Sequence, residues 1–181
     1  VVRVLQDSAE HISRQAGRAV LVDHVVVQDP SKQRSIELPG DQISNDFAQV
    51  RDNPDISIVA LLLGGLEPAR TLAIELLKSG KDLVTANKAL LAEHGPELFG
   101  VAHEMGRSIA FEAAVAGGIP IVSAISECLT GNRISSIRGI LNGTSNFILT
   151  KMEQDGTDYN EVLTLAQSEG YAEADPTMDV D

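Results

Sequence analysis

Five short stretches hold residue types that can do chemistry. Leu61-Leu62-Leu63-Gly64-Gly65-Leu66-Glu67-Pro68 places a glycine pair between an apolar run and a helix start. Backbone without side chains can approach a flat ligand there, although a tight turn with no ligand reads equally well. Thr85-Ala86-Asn87-Lys88 closes the next apolar segment with a primary amine. Ligands of open α/β sheets sit beyond the carboxyl ends of strands, so this lysine is better placed for function than an average surface lysine, although a lysine at a strand end is more often a solvated charge. Glu112 is the single acid in Phe111-Glu112-Ala113-Ala114-Val115-Ala116-Gly117-Gly118-Ile119-Pro120. A carboxylate in apolar surroundings needs a cation, a metal or a row of amides, unless it lies on the open face of an edge strand. Asn142-Gly143-Thr144-Ser145-Asn146-Phe147 is either a hairpin turn or a cluster of amides and hydroxyls for a polar ligand. Glu173, Asp175, Asp179 and Asp181 could bind an ammonium group, act as acids and bases, or form a solvated tail.

Other chemistries find no support. Neither G-x-G-x-x-G nor G-x-x-x-x-G-K-[ST] occurs. The four histidines, His11, His24, His94 and His103, lack the i, i+4 spacing and the neighbouring cysteine of a zinc site. Cys128 falls on an apolar helix with no activating base and is expected in the core.

The elements that must position these residues alternate in type. Val1, Val2, Val4, Leu5, Ile12 and Ala16 share a helical face that ends at Gly17. Ala19 to Val27 reads as a strand ending at Asp29, as the segment after the glycine loop of a dinucleotide fold would. Ile56 to Leu63 reads as a strand buried on both faces of a parallel sheet. A helix follows from Pro68, with Ala69, Leu72, Ala73, Leu76 and Leu77 in one stripe, and then a strand over Asp82 to Thr85. Lys88 to Met105 is helical with a break near Gly95-Pro96. Ile109 to Val115 is expected as a strand, Pro120 to Leu129 as a helix, and Ile134 to Leu141 as a strand. Asp158 caps a last helix that stops before Gly170.

The 181 residues include 14 Lys and Arg against 26 Asp and Glu, a formal net charge of −12. That balance repels phosphate backbones and anionic lipid, so neither nucleic acid nor membrane is expected as a partner. A 43% hydrophobic content supports a folded core rather than disorder. The longest apolar stretch is far short of the ~20 residues that span a bilayer. A lone cysteine and no secretory signal point to the cytoplasm.

Taken together, Val84-Thr85-Ala86-Asn87-Lys88, the Phe111 to Pro120 run, Gly139-Ile140-Leu141-Asn142-Gly143-Thr144-Ser145-Asn146 and Gly170-Tyr171-Ala172-Glu173-Ala174-Asp175-Pro176 resemble, in order and spacing, the homoserine dehydrogenase family. The resemblance implies an α/β fold, with a Rossmann-like parallel sheet over 1–107 followed by an incomplete α+β substrate and dimerisation domain over 108–181. It implies NAD(P)-dependent interconversion of L-homoserine and L-aspartate 4-semialdehyde, in threonine, methionine and isoleucine biosynthesis, by a homodimer. Lys88, Glu173 and Asp179 would be catalytic. Leu63, Gly64, Gly65, Thr85, Ala86 and Lys88 would meet the cofactor. Asn142, Gly143, Thr144, Tyr171, Glu173 and Asp179 would hold the substrate. Glu112, Val115, Gly117 and Ile119 match the family's monovalent-cation loop, where mostly carbonyl oxygens bind sodium.

Departures from the family pattern shape the expectation for the chain itself. The family's glycine-rich loop would precede Val1, and a later Asp and Lys would follow Asp181. The chain is therefore expected to be a fragment, and by itself inactive. Coenzyme preference stays open, since Asp29 suits a ribose hydroxyl while Lys32 and Arg34 suit a 2'-phosphate. The rival readings are a non-catalytic α/β binding or assembly module, and another amino-acid dehydrogenase of similar layout.

Overall fold

The computed structural model describes residues 1–36, 38–140, 142–172 and 176, and the chain forms two compact units, Val1–Ala124 and Ile125–Asp181. The first unit opens with helices α1 (Val2–Asp7) and α2 (Ala9–Ala16), then β1 (Val25–Val26), a 3-10 turn, β2 (Ile43–Ser44) and α3 (Ala48–Arg51). There follow β3 (Ile58–Leu61), α4 (Ala69–Lys78), β4 (Asp82–Thr85), α5 (Lys88–Glu104), β5 (Ile109–Ala110), a 3-10 turn over Glu112–Ala114 and α6 (Ile121–Ser123). All strand pairs are parallel: β1 with β2, and a second sheet in the order β3-β4-β5. This is the expected Rossmann-like arrangement of strand, helix and strand.

One face of the β3-β4-β5 sheet carries the core. Leu61, Leu83 and Thr85 alternate onto it and are buried with Ala69, Ala73, Leu76 and Leu77 of α4 and Leu90, Leu98 and Ala102 of α5. Along α4 these positions recur every three or four residues, which gives the helix one apolar stripe. Arg70 of α4 ties to Glu97 of α5, with Nε to Oε2 at 2.6 Å, and the buried Lys81 donates from Nζ to the carbonyl of Asn53.

Several elements differ from the expectation. The strand Ile56 to Leu63 is not buried on both faces, because α4 and α5 cover one side only; Ile58 is 52% exposed and Leu62 58%. The first helix is broken at Ser8, whose φ of −110° and ψ of 17° interrupt the turn, while Gly17 ends it at φ 69° as expected. Of Ala19 to Val27, only Val25–Val26 is strand, because the ladder with the two-residue β2 reaches no further. Helix α5 runs unbroken through Pro96. A mid-helix proline costs about 3 kcal/mol, which burial of Leu90, Leu98 and Ala102 on either side of it offsets.

The strand predicted over Ile109 to Val115 ends at Ala110 and tightens into the 3-10 turn. Because β5 pairs with β4, the first unit continues past Arg107. Pro120 to Leu129 splits into α6 and a π-helical turn over Ala124–Cys128 that buries nothing, so Cys128 is exposed rather than in a core.

The second unit contains α7 (Gly143–Asp155) and α8 (Tyr159–Ser168). Asp158 accepts a hydrogen bond from Asn160 N at 2.9 Å, capping α8 where its sequence signal stood. Ile148, Val162, Ala166 and Ala172 form a small core between the two helices, flanked by Phe147, Met152, Tyr159 and Leu163. The run 134–140 is not a strand: it pairs with nothing among the described residues, and Ile134, Ile137 and Ile140 are exposed. Leu141 lies outside the described residues. Asn142-Gly143 starts a helix rather than a hairpin. Among the described residues no helix is long and apolar enough to cross a membrane.

The core assignment makes a stability prediction. Leu76 is fully buried and Leu21 is 83% exposed, so Leu76→Ala should cost about 2–5 kcal/mol and Leu21→Ala less than about 0.5 in urea denaturation followed by circular dichroism. Equal losses from the two variants would contradict this packing.

Candidate functional site

The carboxyl ends of β3 and β4 meet at Asn87. Its side-chain Nδ2 donates to the carbonyls of Leu63 at 2.9 Å and Gly65 at 2.6 Å. Its Oδ1 accepts from Leu90 N at 3.0 Å, capping the seventeen-residue α5. Its own N–H donates to Thr85 Oγ1 at 3.2 Å, and Thr85 is only 3% exposed. The exposed loop between β3 and α4 is thereby attached to the helix whose first residue is Lys88.

Leu62, Leu63, Gly64, Ala86 and Asn87 line an open pocket of about 300 Å3. Gly65 has φ 74°, a conformation that glycine adopts without strain. A Cβ on Gly64 would meet nothing within 4 Å, so this glycine leaves space rather than permitting a tight protein contact. Leu62 also borders a second hollow of about 450 Å3 with Val1, Val2, Arg3, Ser35 and Ile36, where Arg3 donates to the carbonyl and hydroxyl of Ser35 at 3.3 Å each. Apolar side chains, an open glycine and strand ends form the kind of rim on which a flat dinucleotide lies, so these residues fit such a cofactor.

Lys88 is exposed at the first position of α5. A helix amino terminus favours anions, and no acidic residue stands in this first turn. The amine therefore sits where helix stability does not want it, a local conflict typical of functional positions. Of the residues expected at the cofactor, Leu63, Gly64 and Ala86 line this pocket, Gly65 and Lys88 are exposed next to it in the chain, and Thr85 is buried. Arg34 donates to the carbonyls of Asp29 and Lys32 at 2.7 Å each and of Pro30 at 3.3 Å. Asp29 accepts from the hydroxyl of Ser31 at 2.6 Å and its N–H at 2.9 Å, which hold its carboxyl below the usual range.

Glu112 takes one of the partners that its sequence reading allowed. Its carboxylate accepts the N–H groups of Val122 and Ser123, each at 2.9 Å, and the Ser123 hydroxyl at 2.7 Å. The Ser123 hydroxyl first, then the Ser123 and Val122 amides, pull its carboxyl below the ordinary value. A row of amides, one of the partners foreseen for it, thus occupies the side chain. Ala116 at φ 55° and Gly117 at φ 59° fold the following loop back in the left-handed region. Among the described residues no group of three or more His, Cys, Asp or Glu could hold a metal ion. Cation donors in this loop would be main-chain carbonyls of Glu112, Val115, Gly117 and Ile119.

In the second unit, Asn142 caps α7 by accepting from Ser145 N at 2.9 Å. Thr144, 7% exposed, donates from Oγ1 to the carbonyl of Tyr171 at 2.6 Å. The Phe147 ring stacks on Tyr171 with centroids 4.7 Å apart and 22° between planes. The Asn142-Gly143-Thr144 segment and Tyr171 are thus brought together at the start of α7. Glu173 and Asp179, with Asp175 and Asp181, lie outside the described residues. Sequence reasoning passed over Asn87, Leu62, Ser123 and Phe147. Only Asn87 carried a signal, an amide residue directly before a helix.

A model of the homoserine dehydrogenase NAD-binding domain matches residues 1–112, and the homoserine dehydrogenase model matches residues 120–181. The chain is 49% identical over 164 residues to homoserine dehydrogenase of Synechocystis sp., covering 91% of this chain and 38% of that protein. The crystal structure of a homoserine dehydrogenase from Thiobacillus denitrificans superposes with a TM-score of 0.87 at 48% identity, over 99% of this chain and 41% of that one. A hyperthermophilic archaeal homoserine dehydrogenase in complex with NADPH matches at TM-score 0.68 and 26% identity, over 96% and 49% of the two chains. The chain thus spans about 40% of the length of the curated relatives it matches. The two family models follow one another along the chain and together match most of it: the chain belongs to the homoserine dehydrogenase family.

Proposed function

We propose that these residues supply the cofactor face and part of the substrate face of an NAD(P)-dependent homoserine dehydrogenase, interconverting L-homoserine and L-aspartate 4-semialdehyde. The observation that carries this reading is the pocket that Leu63, Gly64, Ala86 and Asn87 line at the carboxyl ends of two parallel strands, immediately before Lys88 in the chain. Membership of the family and the NADPH complex of an archaeal relative support it. When bound, the nicotinamide supplies the hydride chemistry.

The chain's own groups do the rest. Leu63, Gly64, Gly65 and Ala86 orient the cofactor through backbone and apolar contact. Lys88 polarises the reacting oxygen or relays its proton, away from the alcohol in oxidation and back to the oxygen in reduction, and its ammonium charge steadies the alkoxide that develops there. Tyr171, with Asn142, Gly143 and Thr144, holds the amino acid, while Glu173 and Asp179 receive its ammonium. In this division of labour residues 1–107 serve the dinucleotide and 108–181 the substrate and dimerisation. The carbonyls of the Glu112 to Ile119 loop hold a monovalent cation, sodium by its preference for hard oxygen donors. Exposed Ile134, Ile137 and Ile140 support a homodimer. The lone cysteine supports a cytoplasmic enzyme, one serving the threonine, methionine and isoleucine branch of aspartate metabolism.

In the longest form of the chain that the gene encodes, homoserine-dependent formation of NADH or NADPH is the direct assay. Lys88→Ala should lower kcat by about 100-fold or more with a much smaller change in homoserine KM. A variant within threefold of the parent would remove Lys88 from the chemistry. Absence of any turnover in the parent would leave a binding module or another dehydrogenase.

The Glu112 arrangement has a pH signature. Its folded-state value is depressed, so its contribution to stability is complete above the ordinary carboxylate value of 4.5 and is lost as pH falls through the depressed one. Glu112→Gln should therefore lower Tm at pH 7, with the gap to the parent narrowing as pH falls below 4.5. A gap that stays constant over this range would show that the ionised carboxylate is not what holds Val122 and Ser123.

A further inference from the structure

We propose that Asn87 is a positioning residue for the reaction: its carboxamide locks the glycine turn after β3 to the amino terminus of α5, fixing the cofactor rim relative to Lys88. The inference rests on the reading of that rim as the dinucleotide face. A helix cap requires only an acceptor, and Asp or Ser serves as well as Asn. What distinguishes Asn is a second edge with two N–H donors. Here both donors are used, on the carbonyls of Leu63 and Gly65, 24 and 22 residues upstream, while Oδ1 caps α5 through Leu90.

The geometry leaves little freedom. The downstream end of the loop is held by Arg70 N on the Leu66 carbonyl at 2.8 Å, and by Thr71, whose hydroxyl donates to Glu67 at 2.9 Å. The upstream half, Leu63 to Gly65, is exposed and contains two glycines, so its entropy when released is large. Asn87 is itself immobilised, through its N–H on the buried Thr85 hydroxyl. Because a trans peptide sets N–H opposite C=O, tying the carbonyls of Leu63 and Gly65 to Asn87 also turns the amides of Gly64 and Leu66 away from it. Glycine thus gives the loop its open shape, and Asn87 selects one conformation of it. A serine at 87 would cap α5 and leave the loop untethered, whereas an aspartate would cap it and set a carboxylate oxygen against two carbonyls.

The test compares Asn87→Ser, Asn87→Asp and Asn87→Ala in the longest form of the chain. Ser and Asp should keep Tm within about 2 °C of the parent, since the cap survives, while Ala lowers it further. In the free protein, backbone 15N order parameters at Gly64, Gly65 and Leu66 should fall from the rigid value of about 0.85 to below about 0.6 in the Ser and Asp variants. The KM for NADPH should rise about tenfold and kcat fall, with homoserine KM changing less than threefold, a split that simple destabilisation does not produce. Order parameters in Asn87→Ser that match the parent at those residues would overturn the clamp. So would a loosened loop with unchanged NADPH kinetics, which would make it structural only. Failure of the parent to bind NADPH would sink the functional reading instead, and the order parameters would still judge the tether.

Discussion

Where a parallel strand stops, the main-chain groups beyond it lose their ladder partners and need others. At the ends of β3 and β4 a single carboxamide meets that need, joining Leu63, Gly65 and Leu90 through Asn87. The arrangement can form only because β3 and β4 are in parallel register, Leu61 opposite Thr85, which brings two loops from distant parts of the chain side by side. That register in turn rests on the packing of α4 and α5 over Leu61, Leu83 and Thr85. The core, the register, the tether and the rim form one chain of dependence.

The sheet is covered unequally, and this bears on where chemistry can occur. Ile58, Ala60 and Val84 alternate onto the face away from α4 and α5 and remain exposed. The helices concentrate burial on the opposite side and leave the strand ends open. In the second unit a similar economy operates on a smaller scale: Ile148, Val162, Ala166 and Ala172 form the core, while the Thr144 hydroxyl and the Phe147 ring hold Tyr171 to the start of α7. In both units an amide side chain caps a helix beside residues proposed to meet ligand, since an Asn cap can fix a loop while satisfying the backbone.

Much of the fold was legible in the sequence. The stripe of α4, the strand Asp82 to Thr85, the stop at Gly17 and the cap at Asp158 follow from local spacing and residue chemistry, and the structure has each of them. The glycine pair and Lys88 could be placed just beyond strand ends for the same reason, whereas their link to a cofactor came from the family resemblance and not from local spacing. The strand over 19–27, the break at Pro96 and the strand over the described residues 134–140 were misjudged where a distant partner decides. A strand needs a neighbour to pair with, and a proline inside a helix survives when packing around it outweighs its cost.

Glu112 and Asn87 mark the boundary between the two kinds of information. The sequence by itself left Glu112 between a partnered carboxylate and an open edge, and determined that Lys88 lies just beyond a strand and that Asn87 precedes a helix. Only the tertiary structure decided that the partner is the amide pair of Val122 and Ser123, and that Asn87 reaches back to Leu63 and Gly65. Residue type fixes how many hydrogen bonds a group must make, whereas folding alone decides which groups stand within 3 Å or so of it.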